Sequence, residues 1–194
     1  MDNRPIQRLS DEVIGRIAAG EVVERPAAAV KELVENSIDA GATAVTVELT
    51  DGGITSIRVS DNGGGIPASQ MRMAFERHAT SKLMTAEELY DVHTLGFRGE
   101  ALASIAAVAK VTCVSRTPDA AYGVRAQVDA GAFMDVTEAA GPVGTSVTVK
   151  DLFYNAPVRL KFLKKPATEA AYVSDYVMRL ILSHPDVAFR FANQ

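Results

Sequence analysis

The sequence predicts an α+β fold: a two-layer α/β sandwich with a mixed, largely antiparallel sheet. Helical patterns are concentrated in the first half of the chain, and most predicted strands follow one another through short turns. Strands joined by short turns pair as antiparallel neighbours, whereas a doubly wound parallel sheet needs a helical crossover between strands. The chain has 194 residues, the length of about one domain. We expect residues 1–194 to form one domain of a longer protein.

Two helices are predicted before the first strand. Ser10 is followed by two acidic residues, which is the pattern of an N-cap with negative charge in the first turn. This helix is expected to end near Gly20. Pro26 suits the first position of a second helix, and Gly41 suits the left-handed residue that follows a helix end. The second helix is therefore expected to run directly into the first strand.

The remaining elements follow from alternation and from turn residues. Segments 43–50 and 54–60 alternate and are joined by Asp51-Gly52-Gly53, which predicts a β-hairpin. Residues 61–67 and 93–99 are predicted to be loops, the first because it is rich in glycine. Further strands are predicted at 110–116, 122–130, 133–137, 145–152 and 187–191, and further helices at 68–78, 86–91, 99–109 and 168–183.

The composition is that of a globular protein. Apolar residues make up 47% of the chain and charged residues 23%, with a net charge of -4, which excludes wholesale disorder. The single cysteine, Cys113, cannot form an internal disulfide, so we expect a reducing, cytoplasmic location. From the charged N-terminal segment and the lack of a stretch of about 18 apolar residues, we expect neither a signal peptide nor a membrane span.

Three common kinds of site are excluded by the residues themselves. No Gly-Lys dipeptide occurs, so a Walker-type phosphate loop is absent. Three scattered histidines and one cysteine do not have the spacing of a zinc site. No Gly-x-Ser-x-Gly elbow occurs either, which excludes the commonest signature of the serine hydrolases.

Polar residues form a stripe along the second predicted helix. Glu32, Glu35, Asn36 and Asp39 fall at positions i, i+3, i+4 and i+7, which places them on one face. Asn36 could present an amide oxygen to a hard cation while the carboxylate of Glu32 polarises water. Taken alone, the stripe fits a solvated helix face better. For Glu35 and Asp39 we expect only a solvated or structural role.

Two further segments combine glycine with charge. Asp61 ends a predicted strand and precedes a run of glycines, so a ligand could approach the backbone while the carboxylate accepts a proton from an exocyclic amine. An ordinary loop with an Asx turn explains this segment equally well. Gly96 and Gly99 flank Arg98 just before a predicted helix. Free N–H groups at a helix start suit phosphate, although a structural cap is the simpler explanation.

A fourth segment, Gly144-Thr145, stands at the start of a predicted strand and is uninformative alone. In combination, the four segments supply a base and a cation ligand, an acceptor for an amine, a phosphate-binding helix start and a hydroxyl. These are the parts of a site for ATP and Mg²⁺ that lacks a Walker loop.

Five motifs follow one another along the chain: ELVENSIDAG (32–41), DNGGGI (61–66), RHATSK (77–82), GFRGEALASI (96–105) and VGTSVTVKDLFYNAPVR (143–159). This ordered set resembles the GHKL ATPases, which include type II DNA topoisomerases, ninety-kilodalton heat-shock chaperones, histidine kinases and MutL mismatch-repair proteins. Residues 17–43, GFRGEAL and DLFYNAPVR are most similar to the bacterial MutL family. The resemblance covers nearly the whole chain and implies the Bergerat-type fold of that superfamily.

The resemblance also implies roles for individual residues. Glu32 matches the general base that activates the attacking water, and Asn36 matches the magnesium ligand that bridges the triphosphate. Asp61 matches the carboxylate that accepts the adenine amino group, with Thr145 as a hydroxyl beside it. The wall of the adenine pocket is matched by Gly65 and Ile66. The lid over the phosphates is matched by Ser81, Lys82, Leu95, Gly96, Phe97, Arg98, Gly99, Ala101 and Leu102.

Partners follow from the same resemblance. The basic residues Arg159, Lys161, Lys164 and Lys165 alternate with apolar ones. A solvated edge is the default explanation, and weak, salt-sensitive contact with DNA phosphates is the alternative. The family implies an ATP-dependent homodimer. It also implies a mismatch-recognition protein of the MutS type and downstream repair factors as partners.

The expected function is an ATP-binding, slowly hydrolysing switch domain of a mismatch-repair protein, with ATP and Mg²⁺ as cofactors. ATP is expected to order a lid at residues 79–99 and so to favour pairing of two copies. A nucleotide-gated binding module with negligible turnover is the alternative. A protein-kinase or chaperone role is disfavoured because DLFYNAPVR is typical of MutL.

Overall fold

The computed structural model describes residues 7–8, 10, 13–14, 19–20, 22–82, 94–96 and 99–194. Within them the helices are α1 (Pro26–Asp39), α2 (Ala101–Ala107), α3 (Pro157–Phe162) and α4 (Pro166–Ser183). The strands are β1 (Ala44–Thr50), β2 (Ser56–Asp61), β3 (Lys110–Arg116), β4 (Gly123–Asp129), β5 (Ala132–Ala139), β6 (Gly144–Lys150) and β7 (Ala188–Asn193). No helix in this part of the chain is long and apolar enough to cross a membrane.

The strands form one mixed sheet in the order β5-β4-β3-β6-β2-β1-β7. The pairing of β1 with β7 is parallel, and the pairings of the other neighbours are antiparallel. The predicted α+β class with a largely antiparallel sheet is therefore confirmed. This order places the end of β2, where Asp61 lies, next to the start of β6 with Gly144 and Thr145.

One face of the sheet is packed against helices. Along β1, Val45, Val47 and Leu49 are buried while the residues between them retain exposure. Val30 and Val34 of α1 are completely buried in the same core. This alternation is the signature of a sheet with one buried face. Because α1 buries its apolar stripe in this way, its polar stripe is left facing away from the core.

The predicted helix at 68–78 is wrong. Two 3-10 turns occur there instead, Ala68–Gln70 and Met73–Phe75, and Glu76 is extended with φ -84° and ψ 151°. Tertiary contacts explain the difference. The ring of Phe75 packs edge-on against Phe133 of β5 with centroids 6.0 Å apart. Such contacts override helix propensity in a short segment.

Other differences are smaller. Helix α3 was not expected; it begins with Pro157, which suits the first helical turn. In the predicted N-terminal helix, Val13, Ile14, Ala19 and Gly20 are helical, and Ser10 Oγ accepts a hydrogen bond from the Val13 amide at 3.4 Å. The rest of that helix and the predicted helix at 86–91 lie largely or wholly outside the described residues.

Candidate active site

A cavity of about 1030 Å³ lies beside the polar stripe of α1. It is bounded by α1, the end of β2 with its glycine loop, the start of β6, and segments 79–82, 94–96 and 99–102. The structure brings together the following predicted site residues in its lining: Glu32, Asn36, Asp61, Gly65, Ile66, Ser81, Lys82, Leu95, Gly96, Gly99, Ala101, Leu102 and Thr145. Phe97 and Arg98 lie outside the described residues.

Glu32 faces the cavity from the middle of α1, with a side chain that is 24% exposed. Its Oε1 atom lies 3.2 Å from Nζ of Lys31, and the same ammonium lies 3.1 Å from Oε2 of Glu35. Burial alone would lower the pKa of Lys31, but hydrogen bonds to Glu35 and Glu32 and the charges of both raise it. The carboxylate of Glu32 is thus held beside a fixed positive charge.

Of the two roles expected for Glu35, solvated or structural, the structure shows the structural one. Glu35 is buried, with 7% exposure, and its Oε1 accepts a hydrogen bond of 2.7 Å from the hydroxyl of Tyr176 on α4. Burial raises the pKa of the Tyr176 phenol, and the hydrogen bond to Glu35 and the charge of Glu35 raise it further. A buried carboxylate needs such partners to offset its desolvation. Glu35 therefore ties α1 to α4 behind Glu32.

Asn36 lies one turn after Glu32, as the spacing predicts. Its Oδ1 atom accepts a hydrogen bond of 2.8 Å from the ammonium of Lys82. The amide oxygen therefore already faces a cation in the cavity. Lys82 is anchored in turn by its backbone N–H, which donates to Oγ1 of Thr80 at 3.1 Å.

Asp61 has donors on both carboxylate oxygens. Oδ2 accepts from the hydroxyl of Ser37 on α1 at 2.8 Å. Oδ1 accepts from the backbone N–H groups of Gly63 at 2.9 Å and Thr145 at 3.1 Å. This arrangement presents a fixed, negatively charged acceptor to the cavity.

Two glycines are required by the geometry around Asp61. Gly65 has φ +72°, and a Cβ there would lie 2.3 Å from the carbonyl oxygen of Arg116. Gly144 has φ +118°, and a Cβ there would lie 2.1 Å from the carbonyl oxygen of Asp61. Both the backbone conformation and the close approach exclude a side chain at these positions. The glycines thus allow the loop after β2 and the start of β6 to pack against their neighbours.

Ser115 on β3 fixes the same end of the cavity, and no sequence pattern predicts this role. Its Oγ accepts a hydrogen bond of 2.8 Å from the N–H of Ile66 and lies 2.9 Å from Oγ1 of Thr145. The Thr145 hydroxyl is therefore held by Ser115, while the Thr145 amide holds Asp61. Ser115 occupies a position on an alternating strand, where nothing in the local pattern sets it apart.

Residues 94–96 and 99–100, which precede α2, line the cavity on its other side. Gly99 has φ +63°, and a Cβ there would lie 2.6 Å from the carbonyl oxygen of Ala79. Glu100 Oε1 lies 3.0 Å from Nδ1 of His78. The Gly99 backbone and Glu100 thus join the start of segment 99–102 to segment 78–82. Both segments carry residues predicted to contact phosphate.

The basic run lies away from this cavity. Lys161, Lys164 and Lys165 are exposed, together with the apolar side chains of Val158 and Phe162. Arg159 differs, because its guanidinium packs against Gly20: a Cβ on that glycine would lie 2.1 Å from an Arg159 nitrogen. The run is thus an exposed amphipathic edge with one inward-facing arginine.

The fold and this site define a class of protein. Residues 24–139 match the family described as histidine kinase-, DNA gyrase B-, and HSP90-like ATPase. The match covers more than half of the chain, and the chain belongs to this family of ATPases.

Within the family, the particular likeness is to the DNA mismatch repair protein MutL. The chain is 55% identical to MutL of Agathobacter rectalis over 95% of its own length and 28% of that protein. It is 53% identical to MutL of Neisseria meningitidis serogroup C, again over 95% of this chain and 28% of that one. The chain thus spans less than a third of the length of these relatives. The predicted resemblance to MutL is confirmed by this identity.

Solved structures show the same likeness. The Aquifex aeolicus MutL ATPase domain complexed with ADP superposes with a TM-score of 0.70 at 38% identity, covering 89% of this chain and 61% of that one. The N-terminal domain of a DNA repair protein superposes with a TM-score of 0.78 at 32% identity, covering 93% of this chain and 52% of that one.

Proposed function

We propose that this chain is the ATP-binding, slowly hydrolysing switch domain of a MutL-type mismatch-repair protein. The observation that carries the proposal is the placement of Glu32 and Asn36 one turn apart on α1, in the same cavity as Asp61. A base, a cation ligand and an acceptor for an amine are the groups that a nucleotide hydrolase without a Walker loop needs. The ADP complex of the similar Aquifex aeolicus domain supports a nucleotide as the ligand.

Asp61 is proposed to select adenine. Its fixed carboxylate accepts hydrogen bonds only, so it pairs with an exocyclic amino group and repels a carbonyl oxygen. Gly65 and Ile66 line the cavity beside it and are proposed to cover the face of the base. The Thr145 hydroxyl is held by Ser115. The backbone N–H of Thr145 is a separate group, and it keeps the Asp61 carboxylate in position.

The phosphates are proposed to lie toward Lys82 and segments 94–96 and 99–102. Lys82 brings positive charge to the cavity, and Ser81, Leu95, Gly96, Gly99, Ala101 and Leu102 line it there. Phe97 and Arg98 are proposed to belong to the same lid. Because Glu32 lies on the same stripe of α1 as Asn36, its carboxylate is proposed to orient and deprotonate the attacking water.

The residues present fit a magnesium ion. Among the described residues, no cluster of His, Cys, Asp and Glu forms a complete metal site. Mg²⁺ bound with nucleotide needs few protein ligands, because phosphates and water complete its coordination. Asn36 Oδ1, which already accepts from the Lys82 ammonium at 2.8 Å, would hold it. When bound, the ion neutralises charge on the phosphates.

For the whole protein we propose a switch that acts in mismatch repair in the cytoplasm. ATP would favour a homodimer of this domain and hydrolysis would release it, which couples a MutS-type mismatch-recognition protein to downstream repair factors. The exposed Lys161, Lys164 and Lys165 are proposed to touch DNA phosphates weakly. The MutL relatives at 50–55% identity support this assignment.

A second candidate is a nucleotide-gated binding module with negligible turnover in this chain alone. The observation that favours it is the ion pair of Lys31 with Glu32, which engages one oxygen of the proposed base.

Phosphate release and ligand-induced changes separate the two candidates. The chain is incubated with ATP and Mg²⁺ while free phosphate is measured, and its melting temperature and molecular mass are followed with a non-hydrolysable analogue. Phosphate release with a raised melting temperature supports the switch. A raised melting temperature without phosphate release supports the binding module. No response to ATP in any measurement contradicts both.

A further inference from the structure

Asp39, the last residue of α1, lines the cavity and has no role in the proposed function. Its side chain is 7% exposed. Oδ2 lies 2.5 Å from Nζ of Lys82 and accepts from the N–H of Gly96 at 3.1 Å. Oδ1 accepts from the N–H of Leu95 at 3.0 Å. One carboxylate therefore holds three donors from two distant segments.

The position is unfavourable for helix stability alone. The C-terminal end of a helix carries partial negative charge, so a carboxylate in the last turn is destabilising there. No basic residue stands in the last turn of α1 to offset it. The favourable partners of Asp39 come instead from Lys82 and the 95–96 backbone. The carboxylate therefore stabilises the position of Lys82 and of residues 95–96 rather than helix α1.

The segments held by Asp39 are those that we propose to face the phosphates. The N–H groups of Leu95 and Gly96 donate to Asp39 itself, so the donor of this set that can reach a phosphate is the Lys82 ammonium. The Lys82 ammonium has three hydrogens; Asp39 and Asn36 each accept one, and one remains. Gly96 passes directly over this cluster, since a Cβ on it would lie 3.5 Å from Lys82 Nζ and 3.8 Å from Asn36 Oδ1. Asp39 thus keeps the ammonium and the 95–96 backbone against the end of α1.

We infer that Asp39 is a positioning residue for triphosphate recognition: it holds Lys82 and the backbone at Leu95 and Gly96 in place for the phosphates. This inference rests on the proposed function, because it takes ATP as the ligand. A preorganised donor set binds more tightly because its ordering cost is met before the ligand arrives. Asp39 should therefore affect the phosphate-dependent part of the affinity and leave the adenosine-dependent part unchanged.

The test compares two ligands and four proteins by calorimetric titration. The ligands are a non-hydrolysable ATP analogue with Mg²⁺, and adenosine. The proteins are the wild-type chain, Asp39→Asn, Lys82→Met and the double variant. Asp151→Asn is the matched control, because it removes an Asp–Lys ion pair of 2.8 Å with Lys110 on the exposed surface. Melting temperatures without ligand show whether each variant is folded.

We expect Asp39→Asn to weaken binding of the ATP analogue about tenfold, the scale of a lost charge-assisted hydrogen bond, with adenosine binding unchanged. We also expect the double variant to lose less than the product of the two single losses, which is the sign of coupled residues. Wild-type affinity in Asp39→Asn, an equal loss for adenosine, or multiplicative losses would overturn the inference. If the wild-type chain bound neither ligand, the proposed function would fail, and this inference with it.

Discussion

Ser37 donates its hydroxyl hydrogen to the carboxylate of Asp61 at 2.8 Å. This contact joins the last turn of α1 to the end of β2, and it is buried on the Ser37 side, where 4% of the residue is exposed. Ser37 directly follows Asn36 in the sequence. The helix that carries the proposed base and cation ligand therefore also orients the proposed adenine acceptor, so the two ends of the site are set by one element.

Replacing Ser37 with alanine should weaken ATP binding and relax the choice of base. The Asp61 Oδ2 atom would lose its donor, and a hydrogen bond to a charged group contributes about 1.5–3 kcal/mol. We expect ATP affinity to fall roughly tenfold or more, with a smaller change for inorganic tripolyphosphate. Ser174→Ala on α4 is the control. Unchanged ATP affinity in Ser37→Ala would show that the contact does not orient Asp61.

Replacing Glu32 with alanine should abolish turnover and keep nucleotide binding. Removal of a general base costs ~10²–10⁴-fold in rate, whereas the adenine and phosphate contacts lie on other residues. The measurement is phosphate release at saturating ATP and Mg²⁺, together with the affinity for a non-hydrolysable analogue. Glu48→Gln serves as the control, because Glu48 pairs with Arg58 on the sheet at 3.6 Å. Turnover at the wild-type rate in Glu32→Ala would contradict the proposed mechanism.

Local patterns suffice to predict most of the sheet and the polar face of α1. Alternation over about seven residues predicts β1 and β3, and helical spacing alone predicts that Glu32 and Asn36 share a face. Both are short-range properties of the chain. The match of residues 24–139 to the ATPase family agrees with the motifs that were found in order.

The partners of the buried polar groups could not be predicted in this way. Asp39 contacts Lys82 and Gly96, which are 43 and 57 positions further along the chain. Glu35 contacts Tyr176, which is 141 positions away. On a helical wheel both acidic residues fit a solvated face. The wheel shows only the spacing within the helix and not the distant segments that pack against that face in the fold. The wrong helix at 68–78 has the same cause, a packing contact with β5.

Replacing Gly65 with alanine should destabilise the fold, unlike the same change at its neighbour. At Gly65 the new Cβ would lie 2.3 Å from a backbone oxygen at a φ of +72°, whereas at Gly64 the nearest atom is 3.6 Å away and no positive φ occurs. Backbone strain of this kind costs about 1–3 kcal/mol. Urea unfolding should show that loss for Gly65→Ala and a change within about 0.5 kcal/mol for Gly64→Ala. Equal effects of the two substitutions would refute the assigned loop geometry.

Cys113 should make the stability of the domain fall at alkaline pH. The residue is completely buried on β3, and burial, with a smaller contribution from the charge of Asp61, raises the pKa of its thiol from 9.0 to about 12. Above pH 9 the unfolded chain therefore releases a proton that the folded chain keeps, so unfolding becomes more favourable as pH rises. Between pH 8 and pH 10 this lowers the free energy of unfolding by about 1.4 kcal/mol, the value of one pH unit above the unfolded pKa of 9.0. Urea unfolding of the wild-type chain and of Cys113→Ala at both pH values measures this loss, which should be smaller in Cys113→Ala. The small cavity left by alanine affects both pH values alike and cancels in the comparison, so identical losses in the two proteins would show that Cys113 does not titrate on unfolding.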